Sequence, residues 1–217
     1  MRAPRLAVLI HGHHCDTPNF EEVMWGSPPK RLGRGPAALK AAMDLDAAVL
    51  AFGTGGAKSG GSEAAPDLVH GMMSDNASGL ETFDAFAGEG RRAETFLRER
   101  VRFAPPSRNS ATEIEAVKEV MRAEECDGLV LVSSPDHLPR CLRDAHSALR
   151  GERVAPLMGC ASGTAFSAHP PAIIEEPHRP DRGSVSLRAE AERMNRLRDD
   201  VEVFRDALRA LLDRHGA

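Results

Sequence analysis

Apolar positions along this chain fall into two patterns that alternate from end to end. Leu6 to Ile10 (LAVLI), Ala47 to Phe52 (AAVLAF) and Gly128 to Val132 (GLVLV) are continuous apolar runs, with Val101 to Phe103 and Val154 to Met158 as shorter ones. Runs of this length without polar alternation predict strands covered on both faces. Between them lie segments with helical spacing. Pro36 to Met43 is Ala-rich with Pro in its first turn. Ser62 opens a stretch with Ala65, Leu68, Val69, Met72 and Met73 on one face, and a further helical region runs from Leu80 to Arg100 across Gly88 and Gly90. Ser110-x-x-Glu113 has capping-box spacing ahead of Ile114, Val117 and Met121, and Pro139 marks the first turn of the next helix.

Two stretches carry neither pattern. Residues 15–35, with Pro18, Trp25-Gly26 and Pro28-Pro29, read as a long loop, and residues 163–184 as a Pro-rich one. From Val185 to Arg214 the apolar positions Met194, Leu197, Val201, Phe204, Leu208 and Leu211 alternate spacings of three and four. That stripe predicts a C-terminal amphipathic helix, docked on its own domain or pairing two subunits in a homodimer. Strands alternating with helices place the chain in the α/β class, with a mainly parallel sheet flanked by helices. The organisation expected is one α/β domain over 1–184 followed by the helix over 185–217.

Composition narrows the function. At 217 residues the chain can bury a full core; its net charge of −4 and its lack of Tyr argue against a nucleic-acid surface. Cys15, Cys126, Cys141 and Cys160 form no CxxC pair, against a zinc knuckle or a disulfide framework. LAVLI is far too short for a membrane span or signal core, so no membrane partner and a cytoplasmic setting are expected.

The candidate chemistry gathers at predicted strand ends, where open α/β sheets bind ligands. GLVLV leads into SSPDHLPR, which puts Ser133, Ser134, His137 and Arg140 together. A helix N-terminus favours a neutral His137, suited to hydrogen bonding or general-base work, or else to capping. Arg140 can present its fork to a carboxylate or phosphate, or pair with Asp136 or Asp144. Glu113 either caps its helix or faces the cleft, with Asn109 and Ser110 as companions. Gly53, Thr54, Gly55, Gly56 and Gly12 can offer backbone amides to a ligand or simply make tight turns. Arg31 and Arg34 near Trp25 can clamp an anion under an aromatic cover. His11, His13, His14 and Asp16 form the alternative, a divalent-metal loop, although no helical HxxxH pair completes it. Cys15 would be a nucleophile only beside a base.

The order of these motifs resembles the DUF218 or YdcF-like family, relatives of SanA and ElyC. IHGH (10–13), RLGRGPAALKAA (31–42), FGTGGAKSGGSEA (52–64), SRNSATEIEA and LVSSPDHLPRC carry the likeness, over residues 6–160. The His-x-x-Arg at 137–140 is the most specific match. Asp136 stands where the family tends to have an aromatic residue, and the HGHHCD turn is richer in histidine than the usual one. The resemblance implies a Rossmann-like fold with a ligand cleft above the strand ends. In one branch it implies S-adenosylmethionine as cofactor. On it, His137 and Glu113 are the catalytic candidates, and Gly12, His13, Arg34, Gly53, Thr54, Gly55, Gly56, Asn109, Ser133, Ser134 and Arg140 line the ligand. Three functions are expected in order: an enzyme, a transferase by preference, acting on an adenosyl-type or other small anionic metabolite; a metal-dependent hydrolase at the His11 loop; and a non-catalytic binding module.

Overall fold

The computed structural model describes residues 3–164, apart from 14, 16, 54–69, 72, 76, 106 and 108, together with residues 173–174 and 185–186. It divides into two units, Met1–Ala168 and His169–Ala217.

The first unit is built on five parallel strands: β1 (Leu6–Ile10), β4 (Val49–Phe52), β5 (Val101–Phe103), β6 (Gly128–Ser133) and β7 (Leu157–Ala161), in the order β5-β4-β1-β6-β7. This is the α/β, Rossmann-like arrangement expected. Alternation sorts the strand side chains onto two faces. Leu6, Val8, Ile10, Leu50, Phe52, Val130 and Val132 join the core beneath α2 (Arg34–Asp44) and α4 (Gly90–Arg100). Ala7, Leu9, Val49, Ala51, Leu129 and Leu131 join the core beneath α5 (Ser110–Ala123) and α6 (Leu138–Ala148). With both faces covered, the central strands need no polar positions, hence the unbroken apolar runs.

Strand order creates one special place. The chain leaves β1 for β4 and β5 on one side, then returns to lay β6 and β7 on the other. The carboxyl ends of β1 and β6 are therefore neighbours at which the winding direction switches, the location of ligand crevices in open α/β sheets.

Several expectations need correcting. Residues 15–35 hold a short helix, α1 (Phe20–Met24), and a two-stranded hairpin of β2 (Gly26–Ser27) and β3 (Arg31–Leu32), not an unstructured loop. Val23 and Met24 are buried anchors, and Gly26 turns the chain at φ 103°, where a Cβ would lie 2.2 Å from the Arg31 carbonyl oxygen. The region expected to be helical from Leu80 begins with the end of α3 (Ala77–Leu80), passes a 3-10 turn at Asp84–Phe86 and resumes only at Gly90. The last strand starts at Leu157 and not Val154, because Pro156 has no N–H for the ladder. The strand expected from Ala47 begins at Val49. Of the helix predicted from Ser62, residues 70–71 and 73–75 are helical and 62–69 lie outside the described residues.

In the second unit Ile173–Ile174 (β8) pairs antiparallel with Val185–Ser186 (β9). Val185 and Ser186, where the C-terminal helix was expected to open, are thus extended; β-branched Ile and Val favour that pairing. The remainder of the predicted helix is outside the described residues. Among the described residues no helix is long and apolar enough to cross a membrane.

Candidate functional site

The first residue after β1 is His11, and its side chain is wholly buried. Its Nδ1–H donates to Glu113 Oε2 in a close ion pair across 102 residues of sequence. The other carboxylate oxygen, Oε1, accepts from the Gly12 amide at 2.9 Å. Glu113 is available for this because it does not cap its helix. The cap of α5 is Asn109, whose side chain accepts from the Thr112 amide at 3.0 Å, while the Asn109 amide donates to Thr112 Oγ1 at 3.2 Å. The capping box therefore sits one residue earlier than Ser110-x-x-Glu113, and it carries Asn109 as a helix cap. Gly53 leaves the room Glu113 needs: a Cβ there would fall 1.9 Å from its Oε1.

With one bond on each oxygen, Glu113 holds His11 and the Gly12 amide together. The Gly12 amide is thereby occupied, and the Gly53 amide donates to the Ile10 carbonyl at 3.0 Å, so neither serves as a ligand cradle here. Thr54, Gly55 and Gly56 are outside the described residues.

Arg34, in the first turn of α2, is completely buried. Its Nε donates to Ser134 Oγ at 3.0 Å, and its Nη1 donates to the carbonyls of His11 at 3.1 Å and Gly12 at 2.7 Å. It thereby ties the end of β6 to the end of β1. Burying a guanidinium costs on the order of several kcal/mol, which these bonds and nearby negative charge offset. Burial lowers its pKa to about 10, against the opposing pull of Cys141, Glu113 and Asp136, so it remains a cation at neutral pH. The clamp expected from Arg31, Arg34 and Trp25 does not form: Arg31 is exposed, and Trp25 packs on Phe83 with ring centroids 5.7 Å apart.

His137 occupies the N-cap position of α6, yet its ring makes no capping bond. Arg140 Nη2 donates to its Nε2 in a close contact, and Ser110 Oγ lies 3.3 Å from the same nitrogen. The ring proton is therefore assigned to Nδ1, which donates to Ser133 Oγ at 2.8 Å, with Cys141 Sγ at 3.3 Å. His137 is buried, and its pKa lies well below 6.5. Desolvation is the first cause, followed by the positive charges of Arg34, Arg140, His11 and His13. The neutral imidazole expected at the helix start is present, with burial as its main cause. Asp144 is bonded to Arg143 at 3.1 Å.

His11 shows the opposite state. Burial alone would lower its pKa, but the adjoining Cys141 and Glu113, both also hydrogen-bonded to the ring, raise it to about 10. The two rings stand edge to face with centroids 6.0 Å apart. One charged and one neutral imidazole thus share the switch point between β1 and β6.

His13 is also buried but turns toward α1. Its ring stacks on Phe20 at 6.3 Å, and its Nε2 meets Thr17 Oγ1 at 3.0 Å and Asn19 Oδ1 at 3.3 Å. His11 and His13 therefore have different partners. Among the described residues no group of three His, Cys, Asp or Glu side chains is placed to hold a metal ion. His14 and Asp16, the rest of the proposed metal loop, are outside the described residues, and Cys15 is half-buried as a free thiol.

Sequence reasoning placed His137, Arg140, Ser133, Ser134, Glu113 and Arg34 in the site, and the structure brings all six together around His11. It missed His11 as the partner of Glu113, and it missed Cys141. Asn109-x-x-Thr112, read as the cap, would have freed Glu113 from that job without naming its partner. No family model, curated protein or solved structure matches the chain.

Proposed function

We propose that this chain is a YdcF-like protein that binds an adenosyl-type or other small metabolite through an anionic group at the carboxyl ends of β1, β4 and β6, and acts on it as an enzyme. The ligand favoured is of adenosyl type, S-adenosylmethionine first, with transfer from it as the reaction class. The observation that carries this reading is the cluster of cationic Arg34, Arg140 and His11 around a neutral His137 at the topological switch point. Positive charge in a low-dielectric crevice attracts and holds an anionic group such as a carboxylate. Arg140, half-buried and in the first turn of α6, is the member able to reach a ligand carboxylate; Arg34 is spent on the backbone beneath. Once Arg140 turns to the ligand, His137 Nε2 is left with a lone pair and can accept a proton or orient a polar group.

Calorimetric titration of the full chain with S-adenosylmethionine tests this. Saturable binding is expected, weakened in Arg140→Ala by about 1.5–3 kcal/mol, the scale of a hydrogen bond to a charged group. No binding of S-adenosylmethionine by the folded protein overturns the adenosyl reading, and unchanged affinity in a folded Arg140→Ala removes Arg140 from the site.

A further inference from the structure

Arg34 has no opening to solvent, so a ligand at the strand ends does not reach it. The sequence places both Arg34 and Ser134 on the ligand, but both side chains are wholly buried and bond to each other. What the guanidinium reaches are two turns that lie far apart along the chain. Toward β1, its Nη1 donates to the carbonyls of His11 at 3.1 Å and Gly12 at 2.7 Å. These are the residues whose ring and amide engage Glu113. Toward β6, its Nε donates to Ser134 Oγ at 3.0 Å. The start of α6 hangs on Ser134 in turn, since its carbonyl accepts from the His137 amide at 3.0 Å and the Leu138 amide at 2.8 Å. Arg140 follows in the same turn, its amide donating to the His137 carbonyl at 3.1 Å.

One planar fork therefore sets the separation between the turn that carries His11 and the turn that presents His137 and Arg140. Among the described residues the backbone ladder between β1 and β6 ends with the His11 amide on the Val132 carbonyl at 3.0 Å. Past that rung Arg34 carries the connection, from Gly12 to Ser134. An ammonium is no substitute. Its three donors sit on one atom at the end of a flexible stem, whereas Nε and Nη1 point in two directions fixed by one plane.

We propose that Arg34 is a positioning residue of the site. It acts through Ser134 and the Gly12 turn to hold His137 and Arg140 where the anionic group of the ligand arrives. For its purpose this rests on the reading of a ligand at the strand ends, while its effect on His137 is read without any ligand.

The test is histidine nitrogen NMR on the ligand-free full chain, beside calorimetric titration with S-adenosylmethionine. Arg34→Lys keeps the charge and loses the fork. Its His137 nitrogens should shift as the contact with Arg140 loosens, and affinity should fall at least about tenfold, the scale of one charge-assisted bond lost at Arg140. Ser134→Ala removes a single arm and should give the same changes in smaller measure; it decides the question if Arg34→Lys does not fold. A purely structural Arg34 predicts a lower melting temperature with His137 signals and affinity unmoved. That result overturns the inference and leaves the ligand reading standing. Shifted His137 signals with unchanged affinity also overturn it, because the geometry that Arg34 holds is then not the one the ligand uses. Shifted signals in a protein whose wild type binds no S-adenosylmethionine keep Arg34 in its positioning role and remove only the adenosyl reading.

Discussion

Two imidazoles with centroids 6.0 Å apart hold opposite charge states, and that difference sets how the fold responds to pH. His11 is raised to about 10 in the folded chain, from an ordinary 6.5. Its contribution to stability is fully present below pH 6.5 and is lost as pH rises toward 10. His137 is lowered well below 6.5, so the unfolded chain binds its proton more readily. Its neutral state favours the fold above pH 6.5 and turns against it as pH falls through and below that value. The two effects together predict greatest stability near pH 6.5. Chemical denaturation across pH 5 to 9 should show that maximum. His11→Asn should flatten the alkaline limb, and His137→Asn the acid limb. A variant that lowers stability equally at every pH shows that its histidine does not titrate between the two states. At this scale the sequence was informative where chemistry and backbone coincide: His137 and Arg140 follow a strand end directly. It could not reveal that Glu113 and His11, 102 residues apart, would meet, because nothing local to either records the other.

Elements were legible in proportion to their burial. The central strands are uninterrupted apolar runs because helices cover both faces, and the pattern survives in one dimension. The 15–35 region was opaque because a five-residue helix and a two-by-two hairpin are too short for a period to emerge. The start of α5 shows how a local ambiguity reaches the site. Asn109-x-x-Thr112 and Ser110-x-x-Glu113 overlap by one register, and both satisfy capping chemistry on paper. The fold chooses Asn109, which turns Ser110 inward to His137 and Glu113 inward to His11. Asn109→Ala should therefore cost about 0.5–2 kcal/mol of stability, the range for losing a helix N-cap. Urea denaturation measures it; an unchanged midpoint and slope would mean that the cap contributes nothing.

At the scale of the whole molecule, the sequence announced alternating strands and helices but not their order in the sheet. Order depends on which edges meet, and a buried run carries no mark of its neighbours. Yet order makes the site: only because β6 returns to lie beside β1 do His11 and His137 share a crevice. Among the described residues both buried cores are built between Leu6 and Cys160, and the clustered side chains of the site run from His11 to Cys141. A fragment ending at Ala168 therefore retains every described strand of the five-stranded sheet and both covering layers. It should unfold in one cooperative thermal transition by circular dichroism and bind S-adenosylmethionine as tightly as the full chain. A broad, non-cooperative melt would show that residues 169–217 complete the core. A cooperative melt with lost binding would instead assign them a part in holding the ligand. Sedimentation of the two forms adds the remaining distinction: a mass per particle that halves on truncation, beyond the loss of the segment itself, identifies the 185–217 stripe as the dimer contact.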